Sequence, residues 1–201
     1  MGAAVFTFGR FNPPTTGHMA LVSRIKDIAS KNKATGYIFT GQSADKEKNP
    51  LNYKTKTLYM KKAFTGVTVV NSKSIRQIFD VLKFLNGKYD DITLVVGSDR
   101  VKEFERLIPK YLKNYKFKSF NVESAGARDP DAAGTAGMSA SKMRQFASSS
   151  QKDEFLKALP TGYRLGPQLY KAVQTGMGIR EDFPDFMHEI YDPSVHEWGT
   201  E

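Results

Sequence analysis

The sequence predicts an α/β fold, a doubly wound parallel five-stranded sheet with helices on both faces, ending in an irregular acidic C-terminal tail. Short β-rich runs alternate with stretches of helical period through most of the chain, the βαβα order that builds a parallel sheet. Each β-rich run is bounded by Gly, Asn, Asp or Ser, residues that stop strands and start turns. At 201 residues the chain is long enough for one well-cored domain, and no composition break demands a second.

The first strand is expected over 3–8, an apolar run ended by Gly9. A helix follows over 16–31, with Met19, Val22, Ile25 and Ile28 or Ala29 on one face. Strand 36–40 leads to a helix over 53–64, and strand 67–70 to a helix over 75–86 that lines up Ile75, Ile78, Phe79, Leu82 and Leu85. Strand 92–96 is followed by a helix over 100–113, and a fifth strand covers 117–122. From Gly126 the residues turn small and polar, "GARDPDAAGTAGMSASKMR", a loop feeding a helix at 140–149, with short helices near 152–158 and 167–174. The expected organisation is a domain over 1–177 and a tail over 178–201, extended or docked, with Pro184 and Pro193 and no period.

The net charge of +9 is unevenly spread. Residues 178–201 hold seven acids against one base, Arg180, leaving 29 bases and 14 acids in 1–177. Such a body attracts polyanions, nucleic acid or nucleotide phosphates alike, and a lysine-rich soluble surface accounts for the charge equally well. No Cys is present, so a disulfide framework and a thiolate metal site are both excluded. The N-terminus lacks a basic region and a cleavage site, and no apolar run approaches the ~20 residues of a membrane span. A cytoplasmic protein that does not engage a membrane is expected.

In doubly wound sheets ligands sit beyond the carboxyl ends of the strands, which directs attention to 9–18, 41–50, 71–74, 97–99 and 123–144. In the first of these, "GRFNPPTTGH", Gly9 ends the strand, Asn12-Pro13-Pro14 turns the chain, and Thr15 or Thr16 caps a helix. Free N–H groups at that helix start favour an anion, and Gly9 and Gly17 let a ligand approach backbone. His18, inside the first turn, is placed to donate to a phosphate oxygen, more strongly as charge builds in a transition state. A histidine packed beside the sheet with no ligand is the other reading. The second segment, "MSASKMR", enters a helix with Ser139 as N-cap and Ser141, Lys142 and Arg144 on the first turns, donors suited to the β- and γ-phosphates of a nucleotide. An ordinary capped basic helix has the same pattern. In "VVGSDRVKEF", Asp99 is expected as N-cap of the helix over 100–113.

"GRFNPPTTGH" resembles the first signature of the nucleotidylyltransferase superfamily at Gly9, Phe11, Pro13, Thr15, Gly17 and His18, and "MSASKMR" resembles the second at Met138, Ser139, Ser141 and Arg144. Thr15 stands where many members have His, Ala140 and Ser141 replace Ser and Thr, and Arg10 is similar to the archaeal adenylyltransferases. Gly97-Ser98-Asp99 resembles a segment at the nucleotide and acceptor site of nicotinamide-mononucleotide adenylyltransferases, and "KNPL" at 48–51 resembles the start of their second helix. The chain is also similar to short nucleotidylyltransferase-like proteins of large tailed bacteriophages.

The resemblance implies a Rossmann-like fold and transfer of a nucleotidyl group from a nucleoside triphosphate to a phosphorylated acceptor. ATP with nicotinamide mononucleotide, giving NAD, is favoured over CTP with a phospho-alcohol. His18 and Thr15 would bind the α- and β-phosphates, Arg144 and Ser139 the β/γ end, and Lys142 and Arg10 would add charge. Gly9, Phe11, Asn12, Gly17, Gly97, Ser98, Asp99, Met138 and Ser141 would complete the substrate site. Mg²⁺ would arrive with the nucleotide and bridge its phosphates. Arg128 and Asp129-Pro130-Asp131 are expected as a lid or as outer neighbours of that ion. A non-catalytic nucleotide- or nucleic-acid-binding module is the rival reading, and self-association is compatible with either.

Overall fold

The computed structural model describes residues 2–126 and 138–179. The acidic residues at 181–201 and the 128–131 segment lie outside them. Five parallel strands, β1 (Gly2–Gly9), β2 (Thr35–Thr40), β3 (Thr68–Val69), β4 (Tyr89–Val96) and β5 (Ser119–Ser124), form one sheet in the order β3-β2-β1-β4-β5. The chain runs outward from β1 through β2 to β3, then returns to the other side for β4 and β5. The reversal falls between β1 and β4, the place at which doubly wound folds bind ligands. Gly9 pairs with Thr40, and Phe6 with Leu94, so Gly9 and Gly97 leave the sheet at one level.

Residue alternation along β1 builds a core on each face. Ala4 and Phe6 point to one side and join Ile78, Val81, Leu82 and Leu85 of α3 (Ile78–Leu85) and Phe104 of α4 (Val101–Leu107). Val5 points to the other and joins Leu21, Val22, Ile25 and Ile28 of α1 (Met19–Asn32) and Met60 and Ala63 of α2 (Tyr53–Ala63). Each of these α1 side chains contributes about 1.5–3 kcal/mol by leaving water. A third cluster joins Leu51 and Tyr59 to α6 (Ala140–Ser148), α7 (Lys152–Lys157) and α8 (Gly166–Gly176).

Beside shifts of two or three residues, which start α3 at Ile78, β4 at Tyr89 and β5 at Ser119, three departures from expectation stand out. Residues Thr16–His18 form a 3-10 turn before α1 begins at Met19. The expected helix over 100–113 is broken, because Pro109 has no N–H to continue it and instead starts α5 (Pro109–Leu112). Asp99 caps nothing: it lies in a 3-10 turn, Ser98–Arg100, and Arg100 occupies the α4 N-cap without a side-chain bond. No helix of the described residues is long and apolar enough to cross a membrane.

Candidate active site

Beyond Gly9 the chain folds back on itself before entering α1. Phe11 takes the left-handed conformation, φ 47°, and lays its ring over Gly9, where a Cβ would stand 2.9 Å from Phe11 Cε2. The same ring lies 4.8 Å from that of His18 and 5.7 Å from that of Phe64. Phe11 is 2% exposed, so it walls the histidine rather than touching a substrate, and Gly9 makes room for that ring rather than for a ligand. Asn12 is likewise buried: its Nδ2 donates to the Leu51 carbonyl at 2.8 Å and its Oδ1 accepts from the Leu51 N–H at 3.0 Å. Its side chain ties the 9–18 segment to the start of α2, and its burial at 1% exposure keeps it away from a substrate.

Thr15 departs furthest from its expected role as a phosphate ligand. It is 0% exposed, and its hydroxyl donates to the Met138 carbonyl at 2.9 Å. Its N–H donates to His18 Nδ1 at 3.0 Å. A nitrogen that accepts carries no proton, so the neutral His18 ring holds its proton on Nε2. Thr15 therefore fixes the histidine's tautomer and grips the second segment. Gly17 completes the junction, since a Cβ there would collide with the same Met138 carbonyl oxygen. Met138 contributes this backbone oxygen, while its side chain packs against the third cluster.

Across the junction, Ser139 caps α6 by accepting from the Lys142 N–H at 3.1 Å. Arg144 donates from Nη1 to the Asn12 carbonyl at 2.8 Å and from Nη2 to Ser141 Oγ at 3.1 Å. Burial first, and then the positive charge of Arg10, lower the Arg144 pKa, while Asp45 opposes the shift. Two guanidiniums are thus held close enough to repel, an arrangement that an anion between them relieves. Lys142 and Ser141 are exposed on the same end of α6. At the neighbouring strand Gly97 is buried, Ser98 and Asp99 are exposed, and the Ser98 N–H donates to the Gly126 carbonyl. The structure brings Arg10, His18, Ser139, Ser141 and Arg144 to one edge, with Gly97-Ser98-Asp99 leaving the adjacent strand. Such an edge suits two phosphate-bearing molecules.

A family model described as Cytidylyltransferase-like matches residues 6–151 of the chain. The chain belongs to that family.

A relative of this cytidylyltransferase-like chain, a probable nicotinate-nucleotide adenylyltransferase of Acholeplasma laidlawii, is 27% identical over 124 residues, which is 54% of the chain and 62% of the relative. The chain thus spans less than two thirds of that relative's length. Among solved structures, the nicotinic acid mononucleotide adenylyltransferase of Plasmodium falciparum complexed with NaAD superposes with a TM-score of 0.56 at 14% identity, over 90% of this chain and 100% of the other. A bifunctional NMN adenylyltransferase/ADP ribose pyrophosphatase of Francisella tularensis, complexed with AMP and a manganese ion, gives 0.56 at 16% identity, over 89% and 52%. These two likenesses establish the fold, the Rossmann-like sheet expected from the signatures.

Two charged residues beside the family's signatures escaped the sequence reading. Asp45 accepts from the N–H groups of Glu47, Lys48 and Asn49 and from the Asn49 amide, and these bonds, the amide's foremost, hold its carboxyl down at about 2. Lys56 is 1% exposed on α2, and its Nζ donates to the Gly41 carbonyl at 2.7 Å. Its signal was its place on the apolar face one turn before Tyr59 and Met60. Burial pulls its pKa from 10.5 to about 8. Between those values the unfolded chain holds a proton that the folded chain has released, so this group makes stability rise with pH over that window. Below it the charged ammonium disfavours the fold, and above it both states are neutral. Urea melts at pH 7.5 and 9.5 will show this rise for the wild type and its absence in Lys56→Met, after subtraction of the changes the two proteins share.

Proposed function

We propose that the chain is an adenylyltransferase that joins ATP to a pyridine mononucleotide, nicotinamide or nicotinic acid mononucleotide, and releases pyrophosphate. The observation that carries this reading is the junction of the two signature segments on the Met138 and Asn12 carbonyls, which sets His18, Arg10 and Arg144 around one edge of the sheet. The name of the Acholeplasma relative supports the choice of acceptor.

In this reaction a phosphate oxygen of the mononucleotide attacks the α-phosphorus of ATP in line. The new P–O bond forms as the bond to the bridging α–β oxygen breaks, and that oxygen leaves with both electrons on pyrophosphate. No protein nucleophile takes part, so the protein works by orienting two anions and stabilising the charge that develops. His18 donates from Nε2 to an α-phosphate oxygen, in the tautomer that Thr15 imposes. Arg144, with Ser139 and Lys142 near it, holds the β/γ end, and Arg10 counters charge on the facing side. Among the described residues no three His, Asp or Glu converge as a metal cage. Magnesium, expected with the nucleotide, would supply charge neutralisation on the leaving pyrophosphate beside Arg144 and Lys142.

Pyrophosphate release measured with ATP or CTP against each mononucleotide, glycerol phosphate and choline phosphate tests the proposal. Turnover is expected with ATP and a pyridine mononucleotide. Turnover only with CTP and a phospho-alcohol would move the chain to cytidylyl transfer. Silence with every pair, beside RNA binding that falls steeply with salt, would make it a binding module.

A further inference from the structure

The buried Lys56 has no part in the reaction just described, and its surroundings are unusual for an ammonium. Among the described residues no carboxylate lies within salt-bridge distance of it, burial alone accounts for its shift, and its bond is to one backbone carbonyl. An apolar side chain of the same length would fill the space without the cost of desolvating a charge. The carbonyl it holds, that of Gly41, belongs to the first residue after β2. The Gly41 N–H donates in turn to the Gly9 carbonyl at 3.2 Å, and the Thr40 hydroxyl donates to the Arg10 carbonyl at 3.1 Å. Lys56 thus stands at the base of a short relay, from α2 through the end of β2 to the two residues where β1 opens into the signature segment.

We propose that Lys56 is a positioning residue that holds the Thr40–Gly41 edge, and through it the backbone of Gly9 and Arg10, in the geometry that aims Arg10 at the phosphate site. The proposal rests on reading that edge as a phosphate site. Lys56 does not itself reach the substrate. Its bond to the Gly41 carbonyl holds the Gly41–Gln42 peptide in place, and through the Gly41 Cα it steadies the adjoining Thr40–Gly41 peptide, whose N–H donates to Gly9.

Two readouts separate this role from simple packing. The first is amide hydrogen exchange on the full chain without ligand. In Lys56→Met the Gly41 amide should lose about tenfold of its protection, while amides in β4 and β5 keep theirs. The second is the binding of inorganic tripolyphosphate by calorimetry. Lys56→Met should weaken it roughly tenfold in the wild-type background and less than about twofold in Arg10→Ala, because residues acting through one another are not additive. Should Lys56→Met fail to fold, Thr40→Val cuts the second link of the relay and carries both readouts, with the same non-additivity toward Arg10→Ala. Unchanged protection at Gly41, or losses that add fully to that of Arg10→Ala, would overturn the proposal. Lost protection at Gly41 in a protein that binds no tripolyphosphate and releases no pyrophosphate would sustain the backbone role and sink the adenylyltransferase reading instead.

Discussion

Replacement of His18 by Ala is expected to lower kcat roughly 100- to 1000-fold, the usual loss when one preorganised donor to a transition-state oxyanion is removed. The KM for ATP should change by no more than about threefold, because in the proposed mechanism the histidine's bond would strengthen only as charge develops and would contribute little to ground-state binding. The tautomer sharpens this. With Nδ1 accepting from the Thr15 N–H, the neutral ring already presents its proton at Nε2. The ring is also clamped, 4.8 Å from Phe11 and 6.4 Å from Phe64 and 9% exposed, so little motion is needed when the phosphate arrives. Steady-state kinetics on a variant whose thermal melt matches the wild type decide the matter. A kcat within about threefold of the wild type would remove His18 from the chemistry, since a missing donor costs far more than that.

Gly17→Ala should be nearly as damaging by a different route. The added Cβ meets the Met138 carbonyl oxygen, a backbone atom that cannot rotate away, and Met138 is the residue Thr15 holds. Forcing the segments apart costs about 1–3 kcal/mol by overpacking, and the buried Thr15 hydroxyl bond adds about 1 kcal/mol when lost. For a chain of this size that lowers the melting temperature by roughly 2–4 °C per kcal/mol. Activity should fall further than stability, because a misplacement of about 1 Å between His18 and Arg144 costs on the order of 100-fold in kcat/KM. Gly2→Ala is the control: nothing lies within 4 Å of the Cβ it adds. Equal behaviour of the two alanine variants in melting and kcat/KM would refute the tight junction.

The sheet was legible because its central strands β1 and β4 are largely buried and all five are stopped by turn residues, signals that depend on near neighbours in sequence. The same holds for α1 and α3, whose apolar spacing predicted their buried faces. The break at Pro109 was equally visible, and the apolar residues on both sides of it masked the stop. The site was legible as a set of residues but not as a set of roles. Thr15 and Gly17 look like ligand-facing positions until the Met138 carbonyl appears beside them, and a backbone oxygen more than 120 residues away leaves no mark on the sequence. Asn12 and Phe11 misled in the same way, their partners being the Leu51 backbone and the His18 ring. Lys56 was passed over because a lysine on a helix suggests a solvated surface, although its apolar neighbours one turn on argued for burial.

The two signature segments belong to different hydrophobic clusters. Phe11 and α1 sit in the second, while Met138 and α6 sit in the third, with the Thr16 N–H and hydroxyl both reaching across to the Ala158 carbonyl. The seam between them is bridged by these polar bonds and by the side chain of Tyr163, which packs against both clusters. A triphosphate lying between Arg10 and Arg144 would act there as a rivet: anionic oxygens shared by both sides would make the helical end of the protein harder to peel from the sheet, so a bound nucleotide would help to hold its own site together.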